Sequence, residues 1–199
     1  MTSFWDERYS DTEFVYGKDP NVFFAENLDL FQPGSKLFFP AEGEGRNAVF
    51  AAENGCEVLA WDQSEAARNK AMLLASERKV DITYLVGDWQ DLHFANQRFD
   101  AIILIYAHFP SSIRNALHSQ LVDWLKPGGL IVFEAFSKDQ LKYESGGPKS
   151  ADMLFNEEEV LKEFSNLKFK TLRTEIIDLK EGKYHVGKGS VVRFVAIKP

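Results

Sequence analysis

Three residues able to bind a ligand stand close together in the chain: Gly43, Gly45 and Asp62. The two glycines follow an apolar run at 36–39, and Asp62 ends a second one at 57–61. Glycine lets the backbone approach a ligand where a Cβ would collide, and a carboxylate can accept hydrogen bonds from both hydroxyls of a ribose. This order of strand, glycine loop, helix, strand and acidic residue is typical of α/β folds that bind an adenosine-containing cofactor. Alternatively, the glycines only form a tight strand-to-helix turn.

Two glutamates beside the first glycine bear on which cofactor binds. The spacing Gly43-x-Gly45-x-x-Ala48 also fits the fingerprint of dinucleotide-binding folds. A carboxylate of Glu42 or Glu44 placed about 5 Å from a pyrophosphate oxygen would cost about 3 kcal/mol at an effective dielectric near 20. S-adenosylmethionine instead carries a cationic sulfonium and a cationic ammonium group. The charges therefore favour S-adenosylmethionine, with a nicotinamide dinucleotide as the alternative.

Composition limits the class of protein and its partners. The 199 residues are 45% hydrophobic, which suffices for one sizeable core, so we predict a single domain spanning 1–199. The net charge of −7 opposes binding to the phosphates of a nucleic acid. No apolar run is long enough for a membrane span, so we expect a cytoplasmic protein with no membrane partner.

Metal and disulfide chemistry find little support in the sequence. Cys56 is the one cysteine, which excludes an internal disulfide and a cysteine metal cluster, and its expected role is packing. His93 and His118 are predicted at surface or helix positions. No set of His, Asp or Glu has the spacing of metal ligands, so we predict no metal.

Apolar runs alternate with amphipathic stretches along the chain, a pattern typical of a largely parallel α/β sheet with helices on both faces. The last two predicted strands have no helix between them and are joined by a glycine-containing connection at 180–189, so we expect an antiparallel C-terminal hairpin. The predicted strands are 36–39, 57–61, 82–86, 101–106, 130–136, 169–179 and 191–197, and the predicted helices are 20–31, 47–54, 64–78, 110–124 and 156–164.

These motifs together resemble those of the class I S-adenosylmethionine-dependent methyltransferases, whose Rossmann-like fold has seven strands with the last one inserted antiparallel. The resemblance covers nearly the whole chain and rests on the order of five segments. They are the glycine loop at 42–45, the ribose-binding acid Asp62, the adenine-contacting segment 87–89, the fourth strand at 99–104 and the turn into the fifth strand at 125–132.

The resemblance implies which residues bind the cofactor. Asp88 would accept from the exocyclic amine of adenine, and Trp89 would offer its backbone amide and ring. The family usually has an acidic residue and a glycine where this chain has Phe39 and Ala41, so Glu42 or Glu44, or a water molecule, is expected to hold the methionine ammonium group. The predicted cofactor-binding residues are Tyr16, Glu42, Gly43, Glu44, Gly45, Asn47, Asp62, Gln63, Gly87, Asp88, Trp89 and Tyr106.

The N-terminal sequence narrows the resemblance to the TehB-like and thiopurine methyltransferase-like enzymes. Residues 4–9, 16–17, 20–21 and the Arg46-Asn47 pair carry this likeness. It implies that residues 1–31 form a lid and helix over the bound cofactor, while 32–199 form the Rossmann-like core. Aromatic rings suit a lid because they cover a ligand while losing little conformational freedom, although core packing is the alternative. The lid aromatics are Trp5, Tyr9 and Tyr16.

His108 is the candidate catalytic residue. It follows the fourth predicted strand, and ligands of α/β folds bind beyond the carboxyl ends of such strands. Methyl transfer needs an acceptor held in line, and it needs a base only when the acceptor arrives protonated; a histidine can take that proton. The alternative is that His108 caps the helix beginning near Pro110 or is satisfied locally.

Two segments are predicted to build the acceptor site. The polar stretch 140–148 follows the fifth strand and offers Tyr143, and the stretch 183–189 offers His185. Trp5 is the third predicted substrate contact. The alternative for 183–189 is a hairpin connection with exposed polar residues.

The predicted function is methyl transfer to a small-molecule acceptor such as a soft thiol, an oxyanion or a small metabolite. One alternative is an NAD(P)-dependent oxidoreductase, which would explain the glycine loop and Asp62 but not the flanking glutamates. Another is a non-catalytic S-adenosylmethionine-binding regulatory protein, which would have a closed acceptor pocket. The oligomeric state stays open.

Overall fold

The computed structural model of the chain describes residues 4–94 and 98–199. Its strands are β1 (Lys36–Pro40), β2 (Glu57–Asp62), β3 (Thr83–Val86), β4 (Phe99–Ile105), β5 (Leu125–Phe136), β6 (Lys168–Glu181) and β7 (His185–Ile197). Its α-helices are α1 (Phe4–Tyr9), α2 (Val22–Glu26), α3 (Arg46–Glu53), α4 (Glu65–Arg78), α5 (Ser111–Trp124) and α6 (Glu157–Glu163).

The strands form one seven-stranded sheet in the order β3-β2-β1-β4-β5-β7-β6. The pairs among β1 to β5 are parallel, while β7 runs antiparallel to both β5 and β6. The predicted α/β fold with an antiparallel C-terminal hairpin is thus confirmed. The strand order reverses at β1 and β4, and the carboxyl ends of the strands beside such a switch point form the usual ligand site of an α/β sheet.

Side chains alternate across β1 and place large residues on both faces of the sheet. Leu37 and Phe39 pack on the face covered by α2, α3 and α4, while Phe38 packs on the face covered by α5 and α6. A parallel strand covered on both faces reads as a continuous apolar run, which explains the sequence signal at 36–39. No helix in the described ranges is long and apolar enough to cross a membrane.

Three predicted elements differ clearly from the structure. Strand β5 begins at Leu125, five residues before its predicted start at 130, because Leu125 already pairs with Phe99 ahead of a register shift. The helix predicted at 20–31 is shorter, because Asn21 caps the start of α2 and the chain turns at Asn27 into a separate 3-10 turn, Leu28–Leu30. The connection predicted at 180–189 is only three residues long, since pairing of β6 with β7 continues from Ile176 opposite Ser190 to Glu181 opposite His185. His185 therefore lies on a strand, not in an exposed connection.

Candidate active site

A cavity of about 970 Å³ lies at the carboxyl ends of the central strands. Its walls come from the residues that follow β1, β2, β3 and β4, from the end of β5, from the loop at 144–150 and from the start of β7. Helix α1 contributes Trp5, Arg8 and Tyr9 on the remaining side. The topology thus brings residues far apart in sequence to one site.

Most of the residues predicted from the sequence line this cavity. Gly45, Gly87 and Tyr143 do not, whereas the neighbours of Tyr143 at 144–150 do. The predicted residues that line it are Trp5, Tyr16, Glu42, Gly43, Glu44, Asn47, Asp62, Gln63, Asp88, Trp89, Tyr106, His108 and His185.

The two glycines of the loop pack against different residues. Both have positive φ, 66° at Gly43 and 88° at Gly45, a region that favours glycine. A Cβ on Gly43 would lie 2.7 Å from the Tyr9 hydroxyl, so this glycine admits a ring from the N-terminal helix. A Cβ on Gly45 would lie 2.5 Å from the Cβ of Ala71. Gly45 therefore permits close packing of the loop on α4, whereas the sequence suggested an approach to a ligand.

The side chain of Glu42 caps the N-terminus of helix α3. One carboxylate oxygen accepts from the amides of Asn47 (2.9 Å) and Ala48 (2.8 Å). Burial raises the pKa of Glu42 to about 7, against the effect of these amides and of Arg46. Free amides at the start of α3, which a phosphate would need, are thus already taken by a carboxylate.

Asp62 ends β2 in the wall of the cavity and is buried. Its carboxylate accepts from the amides of Gly43 and Ser64, each at 3.0 Å. Burial raises its pKa to about 6 although these amides favour the charged form. Tyr84 donates to the Gly43 carbonyl (2.6 Å), so the glycine loop is held on both sides.

Glu44 faces the N-terminal segment. Its two oxygens accept from the amides of Val15 (3.1 Å) and Tyr16 (3.2 Å), and Lys70 adds an ion pair at 2.8 Å. The Glu44 side chain is 2% exposed. Its hydrogen-bonding capacity is directed to the chain itself, which leaves Glu42 as the better placed of the two glutamates to meet a cationic ligand.

Aromatic rings cover the cavity from the N-terminal side. Trp5 stacks on Tyr9 with ring centroids 5.5 Å apart, and Tyr9 meets Tyr16 edge to face at 6.3 Å. Arg8 lies over the ring of Tyr184 at 4.1 Å, which ties α1 to the turn between β6 and β7. The lid role of these rings stays a prediction.

His108 is satisfied by the backbone on both ring nitrogens. Nδ1 lies 2.7 Å from the Met153 carbonyl, and Nε2 accepts from the Phe136 amide at 3.3 Å. Burial lowers its pKa to about 4. The ring is therefore neutral with no lone pair free for a substrate proton, a geometry that favours the local role weighed as the alternative over the predicted general base.

The residues predicted to contact adenine, 87–89, follow β3. Asp88 is exposed and Trp89 partly buried, and the Gly87 carbonyl accepts from the Trp61 indole at 3.0 Å. The side-chain oxygen of Asn47 accepts from the backbone amide of Asn21 (2.8 Å), so Asn47 also anchors the N-terminal segment.

A buried polar network that sequence reasoning missed lies on the β5 and β7 side of the cavity. Glu134 on β5 is fully buried, pairs with Arg193 on β7 and accepts from Asn21 at 2.7 Å. Asn21 also donates to Glu181 (3.0 Å), which pairs with Arg46 at 3.1 Å. The one signal for this network was a charged residue inside the apolar run 130–136.

Tyr106, at the end of β4, borders this network. Its φ of 52° is uncommon for a residue with a side chain, and such outliers cluster at functional sites. Burial, together with Glu134 and Glu181, raises its pKa well above the usual value. Its hydroxyl makes no hydrogen bond of good geometry to any residue in the described ranges.

His118 lies on α5 as predicted, but it is buried and bonded to Glu163 at 2.7 Å, while His93 is exposed. Within 4–94 and 98–199, no group of three or more His, Cys, Asp or Glu could hold a metal ion.

Known proteins resemble this chain in sequence and in fold. Residues 41–129 match the family model described as a methyltransferase domain. A demethylmenaquinone methyltransferase from Corynebacterium glutamicum (strain R) is 30% identical over 112 residues, covering 56% of this chain and 46% of that protein. The chain spans less than half the length of the first curated relatives that it matches.

Two solved structures show the likeness in three dimensions. A protein studied for the conversion of a disulfide bond into a thioacetal group during echinomycin biosynthesis superposes with a TM-score of 0.80 at 17% identity, covering 100% of this chain and 91% of that one. TehB from Haemophilus influenzae superposes with a TM-score of 0.72 at 15% identity, covering 98% of this chain and 66% of that one.

The strand order, the cavity at the switch point and these likenesses define the class: the chain has the fold of the class I S-adenosylmethionine-dependent methyltransferases. Within it, residues 41–129 match the methyltransferase-domain model, in agreement with the resemblance that the sequence motifs carry. The narrower TehB-like grouping stays a prediction, because a likeness at 15% identity shows the fold alone.

Proposed function

We propose that this chain transfers a methyl group from S-adenosylmethionine to a small-molecule acceptor bound in the same cavity. The observation that carries the proposal is the pair of shielded carboxylates, Glu42 and Asp62, in the wall of the cavity. Neither forms an ion pair with a basic side chain in the described part of the chain, and burial raises the pKa of both. A ligand that brings cationic groups and ribose hydroxyls would satisfy them.

The residues present fit that cofactor. Asp62 would accept from the ribose hydroxyls, and Glu42 would face the methionine ammonium group in place of the acid that Phe39 replaces. Asp88 and Trp89 would meet the adenine. When bound, the cofactor supplies a methyl group activated by a sulfonium; the chain's own task is to hold an acceptor in line and exclude water.

A dinucleotide fits less well. The pyrophosphate of such a cofactor needs free amides at the start of the helix after the glycine loop. In this chain the carboxylate of Glu42 already accepts from two of these amides, those of Asn47 and Ala48. A phosphate would have to displace a negative group, which supports the methyltransferase over the oxidoreductase.

The size of the cavity supports catalysis over binding alone. Sites for single small molecules measure about 300–1,000 Å³, and this cavity, at about 970 Å³, lies at the upper end of that range. It continues from Glu42 and Asp62 to Phe136 and His185, beyond the residues assigned to the cofactor. Helix α1 and the loop at 144–150 enclose it, an arrangement that favours a small acceptor over a peptide.

Calorimetric titration tests the proposal. The purified protein is titrated with S-adenosylmethionine, S-adenosylhomocysteine and NADH, together with the variants Asp62→Ala and Asp81→Ala; Asp81 is exposed and lies outside the cavity. We expect micromolar binding of the first two ligands, weakened about 10–100-fold by Asp62→Ala through loss of a charged hydrogen bond, and unchanged in Asp81→Ala.

Transfer of a labelled methyl group to a panel of thiols, oxyanions and small metabolites then tests catalysis. Binding of NADH alone would overturn the proposal. Cofactor binding without transfer to any acceptor would favour the non-catalytic alternative.

A further inference from the structure

The turn between β6 and β7 brings a histidine and a glutamate together at the edge of the cavity. Glu181 is the last residue of β6, His185 is the first of β7, and the two are partners across the hairpin. His185 Nδ1 lies 3.1 Å from a carboxylate oxygen of Glu181. The His185 side chain is 7% exposed, so the ring is held in a shielded place.

Glu181 is fixed as an anion. One of its oxygens meets Arg46 at 3.1 Å as well as His185, and the other accepts from Asn21 at 3.0 Å. Burial raises the pKa of Glu181, but His185 and Arg46 outweigh it and bring the pKa to about 2. An ionised carboxylate only accepts, so His185 donates from Nδ1 and keeps its lone pair on Nε2.

The lone pair on Nε2 is not used by the part of the chain that the structure describes. No residue within 4–94 or 98–199 makes a hydrogen bond to Nε2, and the ring lines the cavity. A Cβ built on Gly146 would lie 2.8 Å from Cδ2 and 3.5 Å from Nε2 of His185, so the loop at 144–150 passes close to this edge of the ring and a side chain there would collide with it. His108, which uses both nitrogens on the backbone, offers no such lone pair.

Three aromatic rings surround His185. The ring centroids of Tyr106, Tyr16 and Phe136 lie 4.6, 4.7 and 5.1 Å from that of His185. Tyr106 ends β4 and Phe136 ends β5, whereas Glu42 and Asp62 lie beyond β1 and β2. The histidine thus stands across the switch point from the carboxylates, among aromatic faces that suit a planar, apolar ligand.

We propose, resting on the proposed function, that His185 is the general base for an acceptor whose nucleophilic atom carries a proton, of the aromatic thiol or aromatic hydroxyl class, and that Glu181 is its positioning residue. Nε2 takes the acceptor's proton, and the freed electron pair forms the new bond to the methyl carbon. The carbon–sulfur bond of the donor breaks with its electron pair going to sulfur. The imidazolium then returns its proton to water.

The charges around the ring set its working range of pH. Burial lowers the pKa of His185 and Glu181 raises it, with a net lowering. The neutral base is therefore present at and above neutral pH, and catalysis falls only in acid. The charged and titratable groups that face the ring are Glu181, Arg46, Arg8, His108, Tyr16 and Tyr106.

The variant His185→Asn distinguishes a catalytic role of His185 from a structural one. The asparagine amide can still donate to Glu181, but it offers no basic nitrogen. The acceptors are 4-methylphenol, which is protonated at neutral pH, and a nitro-substituted benzenethiol, which is already ionised. We expect kcat/KM for the phenol to fall about 10²–10⁴-fold, the usual contribution of a general base, and kcat/KM for the ionised thiol to stay nearly unchanged. The exposed His93→Asn is the matched control.

The pH profile gives a second signature. With 4-methylphenol, the wild-type rate is expected to be level above neutral pH, while the rate of His185→Asn rises with pH as the phenol itself ionises. Equal losses for both acceptors, or no loss for the phenol, would overturn the role of His185. So would bound cofactor with no methylation of either acceptor.

Nuclear magnetic resonance of ring-labelled histidine tests the arrangement without catalysis. We expect His185 as the neutral Nδ1–H tautomer at neutral pH, and a mixture of tautomers in Glu181→Gln. A charged ring, or the Nε2–H tautomer in the wild type, would overturn the inference. Calorimetry with S-adenosylhomocysteine keeps the two proposals apart, because His185→Asn is expected to bind it like the wild type, whereas absence of binding in both would overturn the proposed function instead.

Discussion

Glu42 and Asp62 are carboxylates shielded from water, and neither forms an ion pair with a basic residue of 4–94 or 98–199. Each accepts from two backbone amides, which partly offsets the cost of burial. Their pKa values of about 7 and about 6 lie close to neutral, so small changes in nearby charge change how many protons they carry.

A cationic ligand should therefore release protons when it binds. A positive group beside Glu42 or Asp62 favours the ionised form and lowers the pKa, so a carboxyl that is partly protonated near pH 6.5 loses its proton on binding. Calorimetry of S-adenosylmethionine binding in two buffers of different ionisation enthalpy measures this release. We expect it near pH 6.5, reduced in Glu42→Gln, and absent near pH 9, where both groups are already ionised. Uptake of protons near pH 6.5 would contradict the assignment.

The glycine loop packs closely on α4 at the point where it leads into α3. Gly45 lies against Ala71 of α4 so tightly that a Cβ has no room, and its φ of 88° is itself unfavourable for other residues. The loop therefore owes its position to a packing contact as well as to its turn.

The variants Gly45→Ala and Gly34→Ala separate these two effects. Gly34 has a similar φ of 84° but nothing within 4 Å of an added Cβ. We expect the free energy of unfolding to fall by about 2–5 kcal/mol in Gly45→Ala, from the left-handed conformation plus overpacking, and by about 1–2 kcal/mol in Gly34→Ala. Denaturant unfolding measures both. A larger loss in Gly45→Ala would assign the difference to the contact with the Cα and Cβ of Ala71, whereas equal losses in the two variants would show that the contact is relaxed at little cost.

At the scale of the whole molecule, the N-terminal segment joins parts that are distant in sequence. Glu44 binds the amides of Val15 and Tyr16, while the Val15 carbonyl accepts from the Lys183 amide in the hairpin turn at 2.8 Å. Arg8 over Tyr184 adds a further tie between α1 and that turn. The segment thus connects the glycine loop to the β6–β7 hairpin across the cavity.

Hydrogen exchange can test whether Glu44 holds this segment closed. In Glu44→Ala the amides of Val15 and Tyr16 lose their acceptors, so we expect their exchange to accelerate about 10-fold or more, the effect of about 1.4 kcal/mol. Glu13→Gln, an exposed change in the same segment, should leave it unaltered. Unchanged protection in Glu44→Ala would show that other contacts hold the segment.

Local sequence patterns were sufficient for much of the fold and for part of the cavity lining. The apolar runs of β1 and β2, the glycines and Asp62 follow one another within about thirty residues. Each of these motifs indicates its local backbone structure without reference to distant residues. The pairs Arg46–Glu181 and Glu134–Arg193 join residues 135 and 59 positions apart, so no local pattern indicates them. His185 was predicted as a substrate contact, but its pairing with Glu181 depends on the register of a hairpin whose turn is shorter than expected.

The glycine loop is held in place by the chain itself. Glu42 accepts from an amide at the start of α3, Asp62 accepts from the amide of Gly43, and Tyr84 donates to the Gly43 carbonyl. The loop consequently has its shape before any ligand arrives. Its conformational entropy is lost when the chain folds and is not lost again when a ligand binds. In the proposed reaction, a cofactor that meets such a preorganised loop would bind with less opposing entropy, and the loop would keep its shape after the product cofactor leaves.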